Sequence, residues 1–265
     1  MTELLPQPCT PHAGDGGADR DGLRLPRLIG HRGAAAVAPE NTIVSIRKAQ
    51  QLGAAWVEFD VKLTREGVPI LMHDDRLERT TSGRGCVADH TLAAIRELDA
   101  GGWFAPAFDG ESVPTFEEAL ATCAELGLGI NLEIKPCPGR DEETAHAVLD
   151  VLEANWTADL SPLLISSFAH ACLAVARERA PDVPRGYLCS RLPRDWAAEL
   201  EHYGCVTLHT DHRRIRGAQL AELRAAGVPV LLYTVNDPRR VRKLLELGVT
   251  AVFTDRIGEA LDGLS

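Results

Sequence analysis

Long apolar runs and an excess of basic residues are both missing from this chain of 265 residues. No stretch reaches the roughly 20 apolar residues that a membrane-spanning helix needs, so we expect no stable insertion into a membrane. The formal net charge is −10, from 28 basic and 38 acidic residues. That balance disfavours nucleic acid and anionic membranes as principal partners. It leaves room for a small anionic substrate, because a metal or a local basic pair can reverse the field inside a cleft.

Paired cysteines are missing as well. The seven cysteines are an odd number, widely spaced, and form no CxxC motif, which is typical of reduced thiols in a cytoplasmic protein. The N-terminus has neither the basic start nor the apolar stretch of a secretory signal. Residues 1–25 are rich in glycine, aspartate and proline and predict a disordered tail. The sequence carries no signal for an oligomeric state.

Short apolar runs alternate with helical patterns from residue 26 onward. Nine runs have the length and composition of strands: 27–30, 55–61, 68–73, 130–135, 163–167, 184–189, 205–209, 228–235 and 249–254. Apolar strands that alternate with helices indicate a parallel sheet covered on both faces. The third run follows the second too closely for a parallel crossover and predicts a hairpin arm.

The remaining eight strand–helix units predict a TIM (β/α)8 barrel, with a doubly wound open sheet as the alternative. The glycine-rich stretch at about 78–114 does not fit a strand–helix unit. We expect a short insertion there, following the hairpin arm. The chain from 26 to 265 is then one domain.

Charged residues stand inside or directly after several predicted strands. Glu58 and Asp60 are two positions apart and therefore share a strand face, as do Glu133 and Lys135. Carboxylates that converge in a barrel mouth repel one another and raise one another's pKa. A divalent cation with oxygen ligands, Mg²⁺ or Ca²⁺, would relieve that repulsion. The structural alternative is a buried Glu133–Lys135 pair with an Asp60–Arg32 salt bridge.

Two histidines, His31 and His73, fall at strand ends next to charged neighbours. If the hairpin turns near residues 65 and 66, His73 lies opposite positions 58 to 60. The pair suggests a general acid and a general base, with metal ligation as the alternative. Arg32 and Lys135 are the cations that would face the ligand, which could be a phosphate or a carboxylate.

The remaining polar and aromatic candidates carry weaker signals. The histidines of LHTDHRR, His209 and His212, are interpreted as loop residues. Trp103, Phe104, Phe168 and Tyr233 could line an apolar wall near the mouth.

The chain resembles the glycerophosphodiester phosphodiesterases in the order of its motifs. These are GHRG, APENT, VEFDVKLTREGVPILMHDDRLERTT, LEIKP, YTVND and FTDR. The resemblance runs from about residue 28 to 256 and is strongest to the cytosolic bacterial branch. It implies a metal-dependent hydrolase on a TIM barrel. Such an enzyme cleaves deacylated phospholipids, such as glycerophosphocholine or glycerophosphoethanolamine, to an alcohol and sn-glycerol 3-phosphate.

The resemblance also implies roles for single residues. His31 and His73 match the acid–base pair. Glu58, Asp60 and Glu133 match the ligands of one divalent cation, Mg²⁺ or Ca²⁺, and Arg32 and Lys135 match the phosphate contacts. Glu40 and Asn41, from the PEN element, and Tyr233, which stands where many members have tryptophan, would lie beside the site.

Two other functions are compatible with this site design. One is a phospholipase of the phosphatidylinositol C or sphingomyelinase D type, which acts on intact lipid at a membrane. The other is a non-catalytic binding protein on the same barrel. The acidic charge disfavours the first, and the presence of every motif residue disfavours the second.

Overall fold

The computed structural model describes residues 23–157 and 160–264, which contain nine strands. Their bounds are β1 Leu28–Gly30, β2 Trp56–Leu63, β3 Pro69–Leu71, β4 Gly129–Ile134, β5 Leu163–Ser167, β6 Arg185–Cys189, β7 Thr207–Asp211, β8 Val230–Tyr233 and β9 Ala251–Thr254. Of the tail predicted over residues 1–25, positions 1–22 lie outside the described residues and positions 23–25 are described.

Nine helices cover the same part of the chain. They are α1 Ile43–Gln51, α2 Leu92–Arg96, α3 Phe116–Leu126, α4 Asp141–Asn155, α5 His170–Arg179, α6 Trp196–Tyr203, α7 Gly217–Ala225, α8 Pro238–Glu246 and α9 Ile257–Asp262. No helix in the described part of the chain is long and apolar enough to cross a membrane.

Eight of the strands are parallel and close into a barrel. The order is β1-β9-β8-β7-β6-β5-β4-β2, and β1 also pairs with β2. The TIM barrel is therefore confirmed and the open sheet is excluded. The carboxyl ends of all eight strands meet at one face, where the loops that carry function lie in this fold.

The hairpin arm is confirmed as well. β3 runs antiparallel to β2, with Lys62 opposite Ile70 and Leu63 opposite Pro69. This register centres the turn between residues 65 and 67 and brings the segment after β3 back along β2. His73 is thereby carried to the barrel mouth beside the carboxylates of β2.

Local sequence signals set the ends of several helices. Thr115 and Glu118 form the reciprocal capping box that opens α3, and Gly127 ends the helix in the left-handed region at φ 65°. Asp237 caps α8, with Pro238 at the first helical position. In the strand–helix units, the helix follows the carboxyl end of its strand and returns the chain to the opposite face of the barrel.

Two apolar layers hold the barrel in shape. The larger lies between the strands and the surrounding helices, and every residue of β2 is buried. A smaller cluster inside the barrel joins Leu23 and Leu25 to Ile29, Trp56 and Phe253. Leu23 and Leu25, the only described apolar residues before position 26, are therefore held by burial against the inner strands.

The insertion has its own small core. Residues 78–114 hold α2 and two 3-10 turns, Val87–Asp89 and Pro106–Phe108. Leu77, Val87 and Ile95 pack against Ile70 and Met72 of the hairpin arm. This packing fixes the segment that carries His73 from the outer side.

Candidate active site

A cleft of about 610 Å³, counting its open mouth, lies at the carboxyl ends of the strands. Its lining joins the charged residues predicted from the sequence to polar and aromatic ones from the opposite strands. The predicted members are His31, Arg32, Glu58, His73, Glu133, Lys135 and Tyr233. Asp60 lies beneath them, and Glu40 and Asn41 stand behind Arg32, away from the cleft.

Glu58, Asp60 and Glu133 form the one cluster of metal-ligating side chains among the described residues. All three are buried, and each offers a carboxylate oxygen within 4.8 Å of the others. They meet because Glu58 and Asp60 point into the barrel from β2, and Glu133 lies opposite Asp60 on the neighbouring β4. Three hard oxygen donors at this spacing fit a divalent cation.

The three carboxyl groups of the cluster differ in pKa, with Glu58 and Glu133 raised and Asp60 lowered. Burial, followed by the charges of Asp60 and Glu133, raises the pKa of Glu58 well above its usual range. Burial and Asp60 raise the pKa of Glu133 to about 7, although Lys135 opposes them. Burial would also raise the pKa of Asp60, but Arg32, Lys135 and His73 outweigh it and hold that pKa well below its usual range.

Both ion pairs of the structural alternative are present. Lys135 Nζ lies 2.8 Å from Glu133 Oε1 and 3.2 Å from Asp60 Oδ1, and Arg32 Nε lies 3.3 Å from Asp60 Oδ2. Within the described chain, Glu58 has no lysine or arginine side chain within 4 Å and accepts the Arg32 backbone N–H at 2.8 Å. The pairs therefore leave one carboxylate without a cation, and the three residues fit a bound metal ion in addition to them.

The loop after β1 is strained where it meets the cluster. Arg32 and Asn41 adopt left-handed backbone angles, at φ 52° and 57°, which non-glycine residues rarely use. In this shape the Arg32 N–H faces Glu58, and the Arg32 carbonyl accepts the Asn41 N–H. Strain of this kind persists only where surrounding contacts enforce it, which is common at functional sites.

Gly33 is required by the same loop. Its φ is 86°, and a Cβ there would lie 2.5 Å from Ser45 Oγ. The Ser45 hydroxyl donates to the Arg32 carbonyl and accepts the Ala34 N–H. Close packing against α1 therefore fixes the position of His31 and Arg32.

Glu40 and Asn41 support their neighbours by different contacts. Glu40 accepts hydrogen bonds from Arg32, at 2.6 Å, and from Arg79. Asn41 donates to Asp60 Oδ2 at 2.9 Å and accepts the Asp60 N–H at 3.1 Å. Glu40 therefore orients Arg32, and Asn41 orients Asp60.

Each histidine has a carboxylate against its Nδ1 atom. His31 Nδ1 lies 2.6 Å from Asp255 Oδ1, and His73 Nδ1 lies 2.6 Å from Asp74 Oδ1. His31 Nε2 lies 3.9 Å from Glu58 Oε2. The Nε2 atoms are thus left to face the cleft, because the carboxylates occupy the other ring nitrogens.

Further residues hold those two carboxylates. Asn236 donates to Asp255 Oδ2 at 2.6 Å and accepts the Asp255 N–H. Arg79 donates to both oxygens of Asp74 and also to Glu40. The pKa of His73 lies below its ordinary value. Burial of the ring lowers this pKa, and the negative charge of Asp60 only partly opposes the effect.

Sequence reasoning missed several of these residues. Asp255 stands 224 positions from His31, so only the closure of β9 onto β1 brings them together. Arg79 lies inside a quoted motif, but nothing in the sequence indicated its two partners.

His209 was wrongly predicted to be a loop residue. It lies in β7, is 0% exposed and lines the cleft. Burial lowers the pKa of His209 to about 3, so it is neutral, with Nε2 at 2.9 Å from Thr207 Oγ1. Asn131 and Ser166 join it in the floor of the cleft.

Two of the four aromatic residues predicted to form an apolar wall lie in the cleft. Phe168 and Tyr233 line the cleft and form an edge-to-face pair at 5.9 Å. Trp103 and Phe104 do not line it and instead form an aromatic cluster with Phe108 in the insertion. The prediction failed for this pair because the insertion packs against the hairpin arm.

This fold and this site define a TIM-barrel protein whose mouth joins a hard-cation cluster to two cations suited to phosphate. The family comparison is specific. The profile of the glycerophosphoryl diester phosphodiesterase family matches residues 31–259, so the chain belongs to that family.

Individual relatives agree. The chain is 33% identical to a glycerophosphodiester phosphodiesterase of Caldanaerobacter subterraneus, over 86% of this chain and 93% of that protein. It is 32% identical to a glycerophosphodiester phosphodiesterase of Bacillus subtilis, over 86% of this chain and 82% of that protein. Its fold is similar to that of an Oleispira antarctica phosphodiesterase solved in complex with the product sn-glycerol-3-phosphate. The TM-score is 0.88 and the identity 41%, over 91% of this chain and 97% of that one.

Proposed function

We propose that this protein hydrolyses glycerophosphodiesters, such as glycerophosphocholine or glycerophosphoethanolamine, to an alcohol and sn-glycerol 3-phosphate. The observation that carries the proposal is the pairing of each histidine with a carboxylate, in the segments that directly follow β1 and β3 beside the cluster of Glu58, Asp60 and Glu133. The Oleispira antarctica relative, solved with sn-glycerol-3-phosphate, supports the same product here.

The phosphodiester would bind against two cations. Arg32 presents a planar guanidinium that suits two phosphate oxygens, and Lys135 presents a point charge. Glu40 and Asp60 already orient the Arg32 side chain. Glu133 and Asp60 do the same for Lys135. Their charge would stabilise the negative charge that develops on the non-bridging oxygens in the transition state.

Glu58, Asp60 and Glu133 would hold one divalent cation, which we propose to be Mg²⁺ or Ca²⁺. When bound, such an ion supplies Lewis-acid stabilisation of a phosphate oxygen. Burial first, and repulsion between the carboxylates second, raise the pKa of Glu58 and of Glu133, and the ion's positive charge would offset both effects.

The two histidines would move the protons. One takes the proton of the attacking oxygen at Nε2, and the other donates a proton from Nε2 to the departing alcohol. The attacking oxygen is that of water or of the adjacent glycerol hydroxyl, the latter giving a cyclic phosphate that water then opens. Asp255 and Asp74 hold the rings in place and stabilise each imidazolium as it forms.

The proposed compartment is the cytoplasm. The six cysteines of the described residues are unpaired, and Cys123, Cys137, Cys172 and Cys189 are buried. Free thiols of this kind suit a reducing compartment.

The proposal is tested by an assay of glycerophosphocholine, glycerophosphoethanolamine and glycerophosphoglycerol, coupled to detection of sn-glycerol 3-phosphate. We expect turnover with Mg²⁺ or Ca²⁺, and a loss of about 10² to 10⁴ in kcat for His31→Ala. Faster cleavage of phospholipid vesicles than of these esters would instead indicate a phospholipase. Binding of the esters without turnover would indicate a non-catalytic protein.

A further inference from the structure

Six exposed arginines stand on one side of the barrel mouth, in a chain whose net charge is −10. They lie in the segments that follow β6, β7 and β8, over 190–195, 212–216 and 234–239, which contain only two aspartates. We call this set the arginine rim: Arg191, Arg194, Arg213, Arg214, Arg216 and Arg239.

The charge of the rim is hardly compensated within the protein. Among the described residues, only Arg214 of this set forms an ion pair, with Asp211 at 3.4 Å. The side chain of Asp237 caps α8 by accepting the backbone N–H of Arg239. Arginines elsewhere around the mouth differ, since Arg32 and Arg79 are each bound to carboxylates.

The rim borders the cleft. Leu188, His209 and Tyr233, which line the cleft, belong to the strands from which the rim segments emerge. On the other side of the mouth, behind His73, lies the insertion over 78–114, which holds six acidic residues and three arginines. The mouth is therefore electrically polarised, with its positive side at β6 to β8.

The wall between the phosphate site and the rim does not favour a cationic group. Phe168 and Tyr233 form this wall, and Lys135 Nζ already lies 5.7 Å from the centre of the Phe168 ring. A quaternary ammonium group on that aromatic face would be repelled by the positive charge of Lys135 and by the arginine rim beyond it. An anionic group at the same place would be attracted by both.

From this arrangement, and resting on the proposed function, we propose that the enzyme prefers glycerophosphodiesters whose departing alcohol carries a further anionic group. The phosphodiester would occupy Arg32 and Lys135, while the second anion would lie at the arginine rim. Zwitterionic esters such as glycerophosphocholine would be the poorer substrates. Because the rim is solvent-exposed, the preference would weaken as salt screens it.

The test compares glycerophosphoinositol with glycerophosphoinositol 4-phosphate, which differ by one phosphate. We expect the phosphorylated ester to have a kcat/KM about tenfold higher in 20 mM salt and about twofold higher in 0.5 M salt. The triple variant Arg191→Gln, Arg213→Gln and Arg216→Gln should abolish this preference while retaining activity on glycerophosphoinositol.

A matched control removes three positive charges from the opposite face of the barrel. Lys48, Arg224 and Lys243 lie in the last turns of α1, α7 and α8. The variant Lys48→Gln, Arg224→Gln and Lys243→Gln should keep the preference. Loss of the preference in both triples would mean that net charge, and not the rim, causes it, and would overturn the proposal.

Other outcomes separate this proposal from the one on which it rests. Equal kcat/KM for the two esters, with clear turnover of both, would refute a role of the arginine rim in substrate preference and leave the proposed function intact. No hydrolysis of either inositol ester would refute this proposal, and no hydrolysis of glycerophosphoethanolamine either would refute the proposed function as well. Binding to phosphatidylserine vesicles that the rim triple abolishes, with an unchanged ester ratio, would assign the rim to a membrane surface and overturn the proposal.

Discussion

Asp255→Asn is the substitution that isolates the support of His31 from the rest of the site. Asp255 Oδ1 lies 2.6 Å from His31 Nδ1, and Asn236 holds the other carboxylate oxygen at 2.6 Å. Burial alone would raise the pKa of Asp255, but His31 and Asn236 lower it below its usual range, so the group is ionised at neutral pH. The asparagine has the same shape, but it removes the charge and replaces one of the two acceptor oxygens with a donating NH2 group.

The expected loss follows from that contact. A hydrogen bond to a charged partner contributes about 1.5 to 3 kcal/mol. The attraction between the aspartate and a forming imidazolium adds about 1 to 2 kcal/mol at a partly exposed site. Since about 1.4 kcal/mol corresponds to a factor of ten, the combined total of about 2.5 to 5 kcal/mol predicts that kcat falls by about 60-fold to about 4,000-fold.

The assay is steady-state release of sn-glycerol 3-phosphate at saturating metal, with KM and the melting temperature measured alongside. KM and stability should change little, because Asp255 supports a proton transfer and not binding. Asp237→Asn is the control, since it makes the same charge change outside the cleft, where Asp237 caps α8. A variant that keeps more than half of the wild-type kcat, or that loses activity only through KM, would refute the role of Asp255.

Three further predictions concern the metal cluster, the clamp on His73 and the loop after β1. Because the pKa of Glu133 is raised to about 7 in the folded chain, its protonated form is favoured by folding. The metal-free protein should therefore lose stability as pH rises from about 5 to 7, by on the order of 3 kcal/mol relative to Glu133→Gln, and Mg²⁺ or Ca²⁺ should restore it. Urea unfolding in EDTA checks this, and a stability difference that does not change with pH would contradict it. Arg79→Ala should reduce kcat about tenfold by releasing Asp74 and Glu40, and Arg79→Lys should recover part of it. Equal kcat values for the two variants would count against a positioning role. Gly33→Ala should destabilise the fold by about 2 to 3 kcal/mol, because of the positive φ and the contact with Ser45, and a melting temperature equal to wild type would disprove the strain.

The sequence was sufficient for the parts of the site that strand periodicity controls. Glu58 and Asp60 share a face because side chains alternate along a strand, and the hairpin register placed His73 opposite them. Glu133 and Lys135 followed from the same rule on β4. These predictions depend on local geometry, which a single strand or turn determines.

Contacts made by closure of the barrel could not be predicted in this way. The pairing of His31 with Asp255 depends on β1 meeting β9, and Arg79 reaches Asp74 and Glu40 only after the insertion has packed. The predicted run 205–209 ended at His209, whereas β7 continues to Asp211, so His209 lies inside the strand and not in the following loop. The pairing with β8 that extends β7 is a tertiary interaction, as are the other two contacts, and the local pattern does not show it.

Metal dependence of product release tests the central claim most directly. Purified protein should be treated with EDTA, dialysed, and assayed with glycerophosphoethanolamine before and after addition of Mg²⁺ or Ca²⁺. The account predicts that sn-glycerol 3-phosphate appears only after an ion is added, and that Glu58→Gln shifts the required concentration upward by at least about tenfold. Full release in EDTA, or no release with either ion, would contradict it.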